Sequence, residues 1–383
     1  MTILGLSLSP HDSSAVIVKD GKVVCAIEME KLSRIRHCMI YDTSKYTLET
    51  EGEYFDSNFL NPSPEAVSKK IDSFKQYFKE CGGQVLGDEK IDMVIGSNLL
   101  GTNVPVRDYV NVNHHLAHAS HAFYTSPYKE AAILVIDGCG DTQNGKLETV
   151  SMYKGKGNKI ELFRKIEGEI DHSTNTIIAL KNSIGVLYQN ATVLCGFGPF
   201  GEGTLMGLAS FGKPRFADEY IKFCSIQNEV YEIDNLGLYE YLKKEIGENA
   251  TEAYKADVAA SIQEVTNTLI MFYVTQLKEE TGLENLCYAG GVALNATSNT
   301  HILNRSGFKR IYIPSAPGDG GTSIGAALYG YYMVQHNERI VPDTIPTIYM
   351  GKTYTEEQIA EALEEYTERI EIVETGDHAI NAT

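Results

Sequence analysis

The sequence predicts an α/β protein of two or three domains, and three observations carry that expectation. Its 383 residues are too many for one small module. With 43% apolar and 22% charged residues, the chain can bury a sizeable core. From Asp257 onward, helix and strand patterns alternate, the order that layers helices on a sheet with parallel pairing.

The elements follow in turn. Ile3–Ser9 and Ala15–Lys19 read as apolar strands, and Asp20-Gly21 is a hairpin signal ahead of a third strand, Lys22–Glu28. Ser63-Pro64 supplies the cap and first residue of a helix whose stripe is Val67, Ile71, Phe74 and Phe78, stopped by Gly82-Gly83. Strands are expected at Met93–Ile95, Ala131–Ile136, Thr149–Tyr153 and Ile160–Ile166. Beyond Ser183, a glycine-rich segment from Gly196 to Gly203 precedes the apolar Leu205–Leu208. Asp257 reads as the cap of a long helix with Val258, Ile262, Val265, Leu269 and Phe272 on one side. Then come a strand at Leu286–Ala289, a helix from about Ala293, a strand at Arg310–Ile313 and a helix from about Thr322. Thr355-Glu356-Glu357-Gln358 is a capping box for a helix holding Ile359, Ala362, Leu363 and Tyr366. A strand-like Ile370–Val373 and a cap at Asp377 follow, which read as the start of a further domain rather than a frayed tail.

Composition narrows the function classes. Lys plus Arg is 33 against 51 for Asp plus Glu, a net charge of −18, so there is no cation excess for tracking a nucleic-acid backbone. The seven cysteines (25, 38, 81, 139, 195, 224 and 287) are scattered, odd in number and never form Cys-x-x-Cys, which points to free thiols in a reducing, cytoplasmic setting. Met1-Thr2-Ile3-Leu4-Gly5 leads into a strand rather than a signal peptide, and no run of 18 apolar residues predicts a membrane helix.

Several constellations could carry chemistry. In Asn113-His114-His115-Leu116-Ala117-His118, His114 and His118 share one face of a helix and could bite one metal ion; the alternative is a surface helix with incidental histidines. The glutamate of the zinc-protease motif is absent. Ile136-Asp137-Gly138-Cys139-Gly140 sets a carboxylate at a strand end with close backbone access, although for this piece alone an ordinary Asp-Gly hairpin is the favoured reading. Gly290-Gly291, between a strand and a helix, suits a nucleotide approaching backbone amides. Pro317-Gly318-Asp319-Gly320-Gly321-Thr322 leads into a helix N-terminus, a natural place for phosphate, with one carboxylate in the loop. His11-Asp12-Ser13-Ser14 lies in the turn after the first strand, where His11 is either a general base or a loop residue. Glu28, Glu30, Lys31, Arg34, Arg36 and His37 form a charge run that reads as a solvated strand end.

Taken together and in this order, these pieces resemble one family. His-Asp-Ser-Ser, Glu-x-Glu-Lys-Leu-Ser-Arg-Ile-Arg-His, Asn-His-His-Leu-Ala-His-Ala, Val-Ile-Asp-Gly-x-Gly, Gly-x-Leu-Met-Gly-Leu-Ala, Gly-Gly-Val-Ala-Leu-Asn-Ala and Asp-x-Gly-x-Ser-x-Gly-Ala-Ala are similar to the O-carbamoyltransferases of antibiotic and nodulation-factor biosynthesis. More distantly, the chain resembles the threonylcarbamoyl transferase that modifies tRNA. The resemblance covers nearly the whole chain and implies an actin and sugar-kinase fold. Its two lobes, each a βββαβαβα core with a cleft between, would fall at 1–170 and 171–345, with 346–383 a linker and the truncated start of a carbamoyl-adenylate synthase domain.

It implies metal ligands at His114, His118, Asp137 and Asp319, a donor set for iron(II), with zinc or manganese as alternatives. Nucleotide contacts would fall on Asp137, Gly138, Gly140, Gly290, Gly291 and Asn295. His11 and Asp12 would be catalytic, with His11, Arg36 and Gly207 at the acceptor; Thr204 departs from the family, where lysine is common. The reaction implied moves a carbamoyl group from carbamoyl adenylate, made from carbamoyl phosphate and ATP by a missing or separate synthase domain, to a hydroxyl of a small molecule. The rival is a non-catalytic nucleotide-binding subunit that needs a separate donor-activating partner. A sugar kinase of the same fold leaves the paired histidines without a role. Either leading reading accommodates a homodimer, and neither a membrane nor a nucleic acid is an expected partner.

Overall fold

The computed structural model describes residues 1–8, 11–37, 64–80, 91–97, 108–171, 177–249, 251–343, 349–351, 354–364, 366 and 369. The first three strands are β1 (Thr2–Ser7), β2 (Ser14–Lys19) and β3 (Lys22–Glu28), followed by α1 (Met29–Ser33) and α2 (Pro64–Glu80). Asp20 and Gly21 both take left-handed φ, +48° and +77°, as a two-residue hairpin between right-twisted strands requires. β4 (Met93–Ser97) and β5 (Val110–Val112) run parallel to β1 and complete a sheet of order β3-β2-β1-β4-β5. Helix α3 (His114–Tyr124) then leads to β6 (Glu130–Ile136).

The same strand order recurs in a second sheet. β8 (Lys146–Lys156) and β9 (Lys159–Gly168) are antiparallel additions to β6, and a two-residue β7 (Thr142–Gln143) folds back on the start of β8. After α4 (Ile184–Leu194), α5 (Glu202–Ala209), the hairpin β10 (Cys224–Gln227) and β11 (Val230–Ile233), α6 (Asn235–Asn249) and α7 (Glu252–Thr281), the chain returns with β12 (Asn285–Ala289), parallel to β6. α8 (Ala296–Arg305), β13 (Arg310–Tyr312) and α9 (Thr322–Tyr329) close the unit, so the second sheet is βββ followed by αβαβα, in the order β9-β8-β6-β12-β13. The strands change sheet between Val112 and Glu130, ahead of the expected lobe boundary near residue 170.

Period-two burial explains the layers. Leu4, Leu6 and Ile17 face one side of the first sheet with Ile71 and Phe74 of α2, while Ile3, Val16 and Val18 face the other. That second side shares a core with Ala119, Ala122 and Phe123 of α3, Ile324 and Ala327 of α9, and Ile133 and Val135 of β6. Ala132, Leu134 and Ile136 point to the remaining face, covered by Leu187 of α4, Leu242 of α6 and Leu269 of α7. Both sheets are therefore clothed on both sides, which is why their central strands read as unbroken apolar runs.

Met1–Met350 form one compact unit and Gly351–Thr383 a second. In the second, α10 (Glu356–Glu364) carries the expected capping box: Gln358 N–H donates to Thr355 Oγ1 at 3.2 Å, and Thr355 N–H to Gln358 Oε1 at 3.1 Å. Ser63, Gly82-Gly83, Ile370–Val373 and Asp377 lie outside the described residues, as do the side chains of Val67 and Phe78.

Two expected boundaries move. The long helix starts at Glu252, not after Asp257, because Thr251 accepts from Tyr254 N–H as its cap. Asp257 instead takes Lys213 N–H at 2.7 Å and Arg215 Nε at 3.2 Å. The helix placed at about Ala293 begins at Ala296; Asn295 caps it, and the preceding Gly291–Leu294 is a 3₁₀ turn. Helices α4, α5 and α6 were not anticipated.

Candidate metal centre and active site

The donor cluster is built by three chain reversals. Asn113 caps α3 through its side chain, which accepts from Leu116 N–H at 2.9 Å, so His114 opens the helix and His118 sits one turn on, on the same face. Asp137 follows the last residue of β6, and Asp319 lies in the turn that starts α9, whose packing beside α3 brings it in. Ligand atoms of His114, His118, Asp137 and Asp319 lie within 4.8 Å of one another, and all four residues are buried.

The distances test whether these residues fit an ion. The two Nε2 atoms are 3.2 Å apart. Asp137 Oδ2 stands 3.1 and 3.3 Å from Nε2 of His114 and His118, and Asp319 Oδ1 stands 3.4 and 3.5 Å from the same atoms. An ion bound at about 2.0–2.2 Å in tetrahedral or octahedral geometry separates neighbouring ligand atoms by about 2.8–3.6 Å. The donor set fits. With Nε2 aimed at the carboxylates, the His114 Nδ1–H donates to Ser97 Oγ at 3.1 Å, the kind of outer partner that orients a ligating imidazole.

The electrostatics call for positive charge at this point. Burial pulls the pKa values of His114 and His118 down, but Asp319 and Asp137 more than reverse it and hold both above the ordinary value. Burial likewise pushes Asp137 and Asp319 up, and the imidazoles facing them win, so both carboxyls sit below the usual range. His115 and His121, on other sides of α3, have no such partner; burial depresses each to about 3.

His11 stands at the edge of the cluster. Its Nδ1–H donates to Asp12 Oδ2 at 2.9 Å, leaving Nε2 3.8 Å from Asp319 Oδ2. Burial pulls His11 down, while Asp319 and Asp12 raise it, to about 9. The other oxygen of Asp12 accepts from His37 Nδ1–H at 2.8 Å. Phe200 lies against both imidazoles, with ring centroids 4.7 Å from His11 and 4.8 Å from His37. Asp12, His37 and Phe200 all take left-handed φ of +52°, +51° and +61°, a backbone strain typical of functional sites.

His37, Ser97 and Phe200 were missed by sequence reasoning. His37 sits in a charge run, and no local pattern points it at Asp12. Asp12, Glu30 and His37 form a second group of potential ligands, although Lys31 already pairs with Glu30. Arg36 is exposed and acts on Glu202 through its charge, and Gly207 of α5 has open space where a Cβ would project.

Both backbone amides of the glycine loop are hydrogen-bonded to other loops. Gly290 N–H donates to the Pro317 carbonyl at 2.9 Å and Gly291 N–H to Asp137 Oδ1 at 2.9 Å. Gly290 has φ of +98°, and a Cβ there would stand 2.1 Å from the Ile136 carbonyl oxygen. These glycines let three loops meet. Asn295, besides capping α8, donates to Gln263 Oε1 at 3.0 Å, and Tyr188 OH donates to the same oxygen at 2.9 Å. Gly138 and Gly140 sit beside Asp137; only Gly138 has open space at its Cβ position.

Known proteins bear out the resemblance. The chain is 30% identical to the uncharacterized protein sll1178 of a Synechocystis strain, over 93% of this chain and 62% of that one. It is also 30% identical to nodulation protein NolNO of Sinorhizobium fredii, over 83% of this chain and 46% of that one. The chain thus spans roughly half to two thirds of these curated relatives' length. Among solved structures, full-length HypF in its phosphate- and nucleotide-bound form superposes with a TM-score of 0.56 at 14% identity, over 87% of this chain and 46% of that one. An activator of 2-hydroxyisocaproyl-CoA dehydratase from Clostridium difficile, with bound ADPNP, gives 0.50 at 16%, over 88% and 96%. These likenesses establish the actin and sugar-kinase type of α/β fold. The family model described as "Carbamoyltransferase N-terminus" matches residues 2–328, and the chain belongs to that family.

Proposed function

We propose that the protein transfers a carbamoyl group from carbamoyl adenylate to a hydroxyl of a small-molecule acceptor. One observation carries this reading: His11, oriented by Asp12, presents its Nε2 3.8 Å from Asp319 at the edge of the four-donor cluster. The acceptor oxygen attacks the carbamoyl carbon, its proton passes to His11 Nε2, and AMP departs with the electron pair of the broken bond. Asp12 holds the Nδ1 proton, so Nε2, once it has given up the proton that Asp319 and Asp12 favour, is the nitrogen that faces the reaction. Arg36 and the open face at Gly207 would meet the acceptor. His114, His118, Asp137 and Asp319 would hold a divalent ion, iron(II) ahead of zinc or manganese, which when bound supplies Lewis-acid stabilisation of developing negative charge. The nucleotide would lie along Gly138, Gly140 and the loop of Gly290, Gly291 and Asn295. The dehydratase activator, matched over 96% of its length, holds ADPNP, and full-length HypF is a nucleotide-bound form matched over 46% of its length.

The rival reading, a nucleotide-binding subunit without chemistry, leaves the His11–Asp12 pair unexplained. The five described cysteines are free, which suits a reducing cytoplasm, and among the described residues no helix is long and apolar enough to cross a membrane. The experiment supplies ready-made carbamoyl adenylate, divalent ion and a panel of polyhydroxyl acceptors, and follows AMP release and carbamoylated product by mass spectrometry. Turnover is expected, and His11→Asn should slow it about 10²–10⁴-fold, the range for removing a positioned base, at an unchanged melting temperature. Tight adenylate binding with no product from any acceptor would favour the binding subunit.

A further inference from the structure

We propose that His115 and His121, the two histidines of α3 that face away from the donor cluster, are positioning residues for the two carboxylate ligands. The inference rests on the metal reading above and concerns residues that touch no ion themselves. Helix α3 buries all four of its histidines, none more than 2% exposed. Core filling alone does not select imidazole at His115 and His121, because an apolar side chain would fill the space without stranding polar atoms. Nε2 of His115 and Nδ1 of His121 find no hydrogen-bond partner among the described residues.

What these rings touch are the loops that carry Asp137 and Asp319. Nδ1 of His115 bonds Ser151 Oγ at 2.7 Å, on the β8 strand paired with β6. Its ring lies close against Gly140, three residues beyond Asp137. A Cβ on Gly140 would stand 2.7 Å from His115 Cδ2 and 2.8 Å from its Nε2. On the other side, the His121 ring lies beside the turn that carries Asp319. A Cβ on Gly321, two residues beyond Asp319, would stand 2.4 Å from His121 Nδ1. Each carboxylate thus hangs on a loop propped by a rigid ring from the helix that supplies the imidazole ligands, and a glycine in each loop admits the ring. The props set the spacing between α3 and the two loops. They thereby set the 3.1–3.5 Å separations between the imidazole nitrogens and the carboxylate oxygens. Removing one lets its loop settle, and a ligand misplaced by a fraction of an ångström is enough to loosen a site.

The test uses the full chain with cobalt(II) as probe, reading affinity by titration and ligand geometry from the d–d absorption band. Wild type should bind about one ion per chain, as one four-ligand site requires. His115→Ala and His121→Ala should each weaken binding about 10–100-fold, the usual effect of losing an outer-shell partner, and should shift the band. His121→Gln keeps a planar polar side chain beside the same turn and should recover part of the loss. Gly140→Ala should weaken binding in wild type yet add little to His115→Ala, since the ring it strikes is gone and only Glu148 Cβ, at 3.1 Å, remains in its way. Should the alanine variants fail to fold, His121→Gln and Gly140→Ala carry the same comparison. Variants that melt lower without metal while keeping wild-type cobalt affinity and spectrum would show that the rings only fill core, and would overturn the proposal. A wild type that binds no cobalt, iron, zinc or manganese would overturn the metal reading itself.

Discussion

At the scale of single residues, Asp137 has two jobs on its two oxygens. Oδ1 accepts from Gly138 N–H and Gly291 N–H, each at 2.9 Å, while Oδ2 faces the two imidazoles. The jobs come apart under substitution. In Asp137→Asn the amide oxygen can still take both N–H groups, so the metal-free protein should melt close to wild type while its ion is lost. Asp137→Ala loses the ion as well and strands two N–H groups, at about 1–3 kcal/mol each, so its metal-free form should melt clearly lower. Calorimetry of both stripped variants, with metal content by elemental analysis, checks this; equal melting temperatures would mean that Oδ1 is not a structural acceptor. Half of this was legible beforehand. The spacing of His114 and His118 displays a metal bite in any helix, because i and i+4 share a face. The bond from Gly291 to Asp137 spans 154 residues of sequence, and no local pattern encodes it. His37 stayed hidden for the same reason: its partner Asp12 lies on another element, and a charge run looks solvated until the fold supplies Phe200 and Asp12.

At the scale of elements, residues whose conformation is settled by their neighbours were the readable ones. Asp20-Gly21 demands a tight hairpin, and Thr355-Glu356-Glu357-Gln358 a helix start; both formed as expected. Asp257 misled because two caps were available, and Thr251, two turns earlier, takes the N-terminus while Asp257 holds a distant loop. The glycines differ from one another in what surrounds them. Both amides of Gly290-Gly291 join loops, while the Cβ position of Gly138 opens on free space. The two predict different phenotypes. A Cβ at Gly291 would press on Asp137 Oδ1 at 2.8 Å, so Gly291→Val should lose the bound ion together with any AMP-induced rise in melting temperature. Gly138→Ala should keep the ion and lose part of the AMP shift, because its methyl occupies open space where the nucleotide is proposed to lie. An unchanged AMP shift in Gly138→Ala would place the nucleotide elsewhere.

At the scale of the whole molecule, the donor cluster ties together elements that no single sheet unites. His114 and His118 belong to the helix that follows the first sheet's last strand, Asp137 to the end of the second sheet's central strand, and Asp319 to the turn before α9. None of these elements holds four donors by itself, so the site exists only in the folded chain, and an ion that binds it stabilises the fold by linkage. At a thousandfold excess over its dissociation constant, the stabilisation is about 4 kcal/mol. The chain's net charge of −18 complicates this, since any dication screens repulsion in so acidic a protein. Magnesium separates the two effects, because it prefers oxygen ligands and gains little from a pair of imidazoles. Chelator-stripped protein should therefore melt several degrees higher in iron(II), zinc or manganese than in the same concentration of magnesium. The excess should disappear in His118→Ala, which retains nearly the whole charge but only one imidazole of the pair. Equal shifts in magnesium and in the transition metals, or an undiminished excess in His118→Ala, would reduce the effect to charge screening and remove the cluster from the protein's stability.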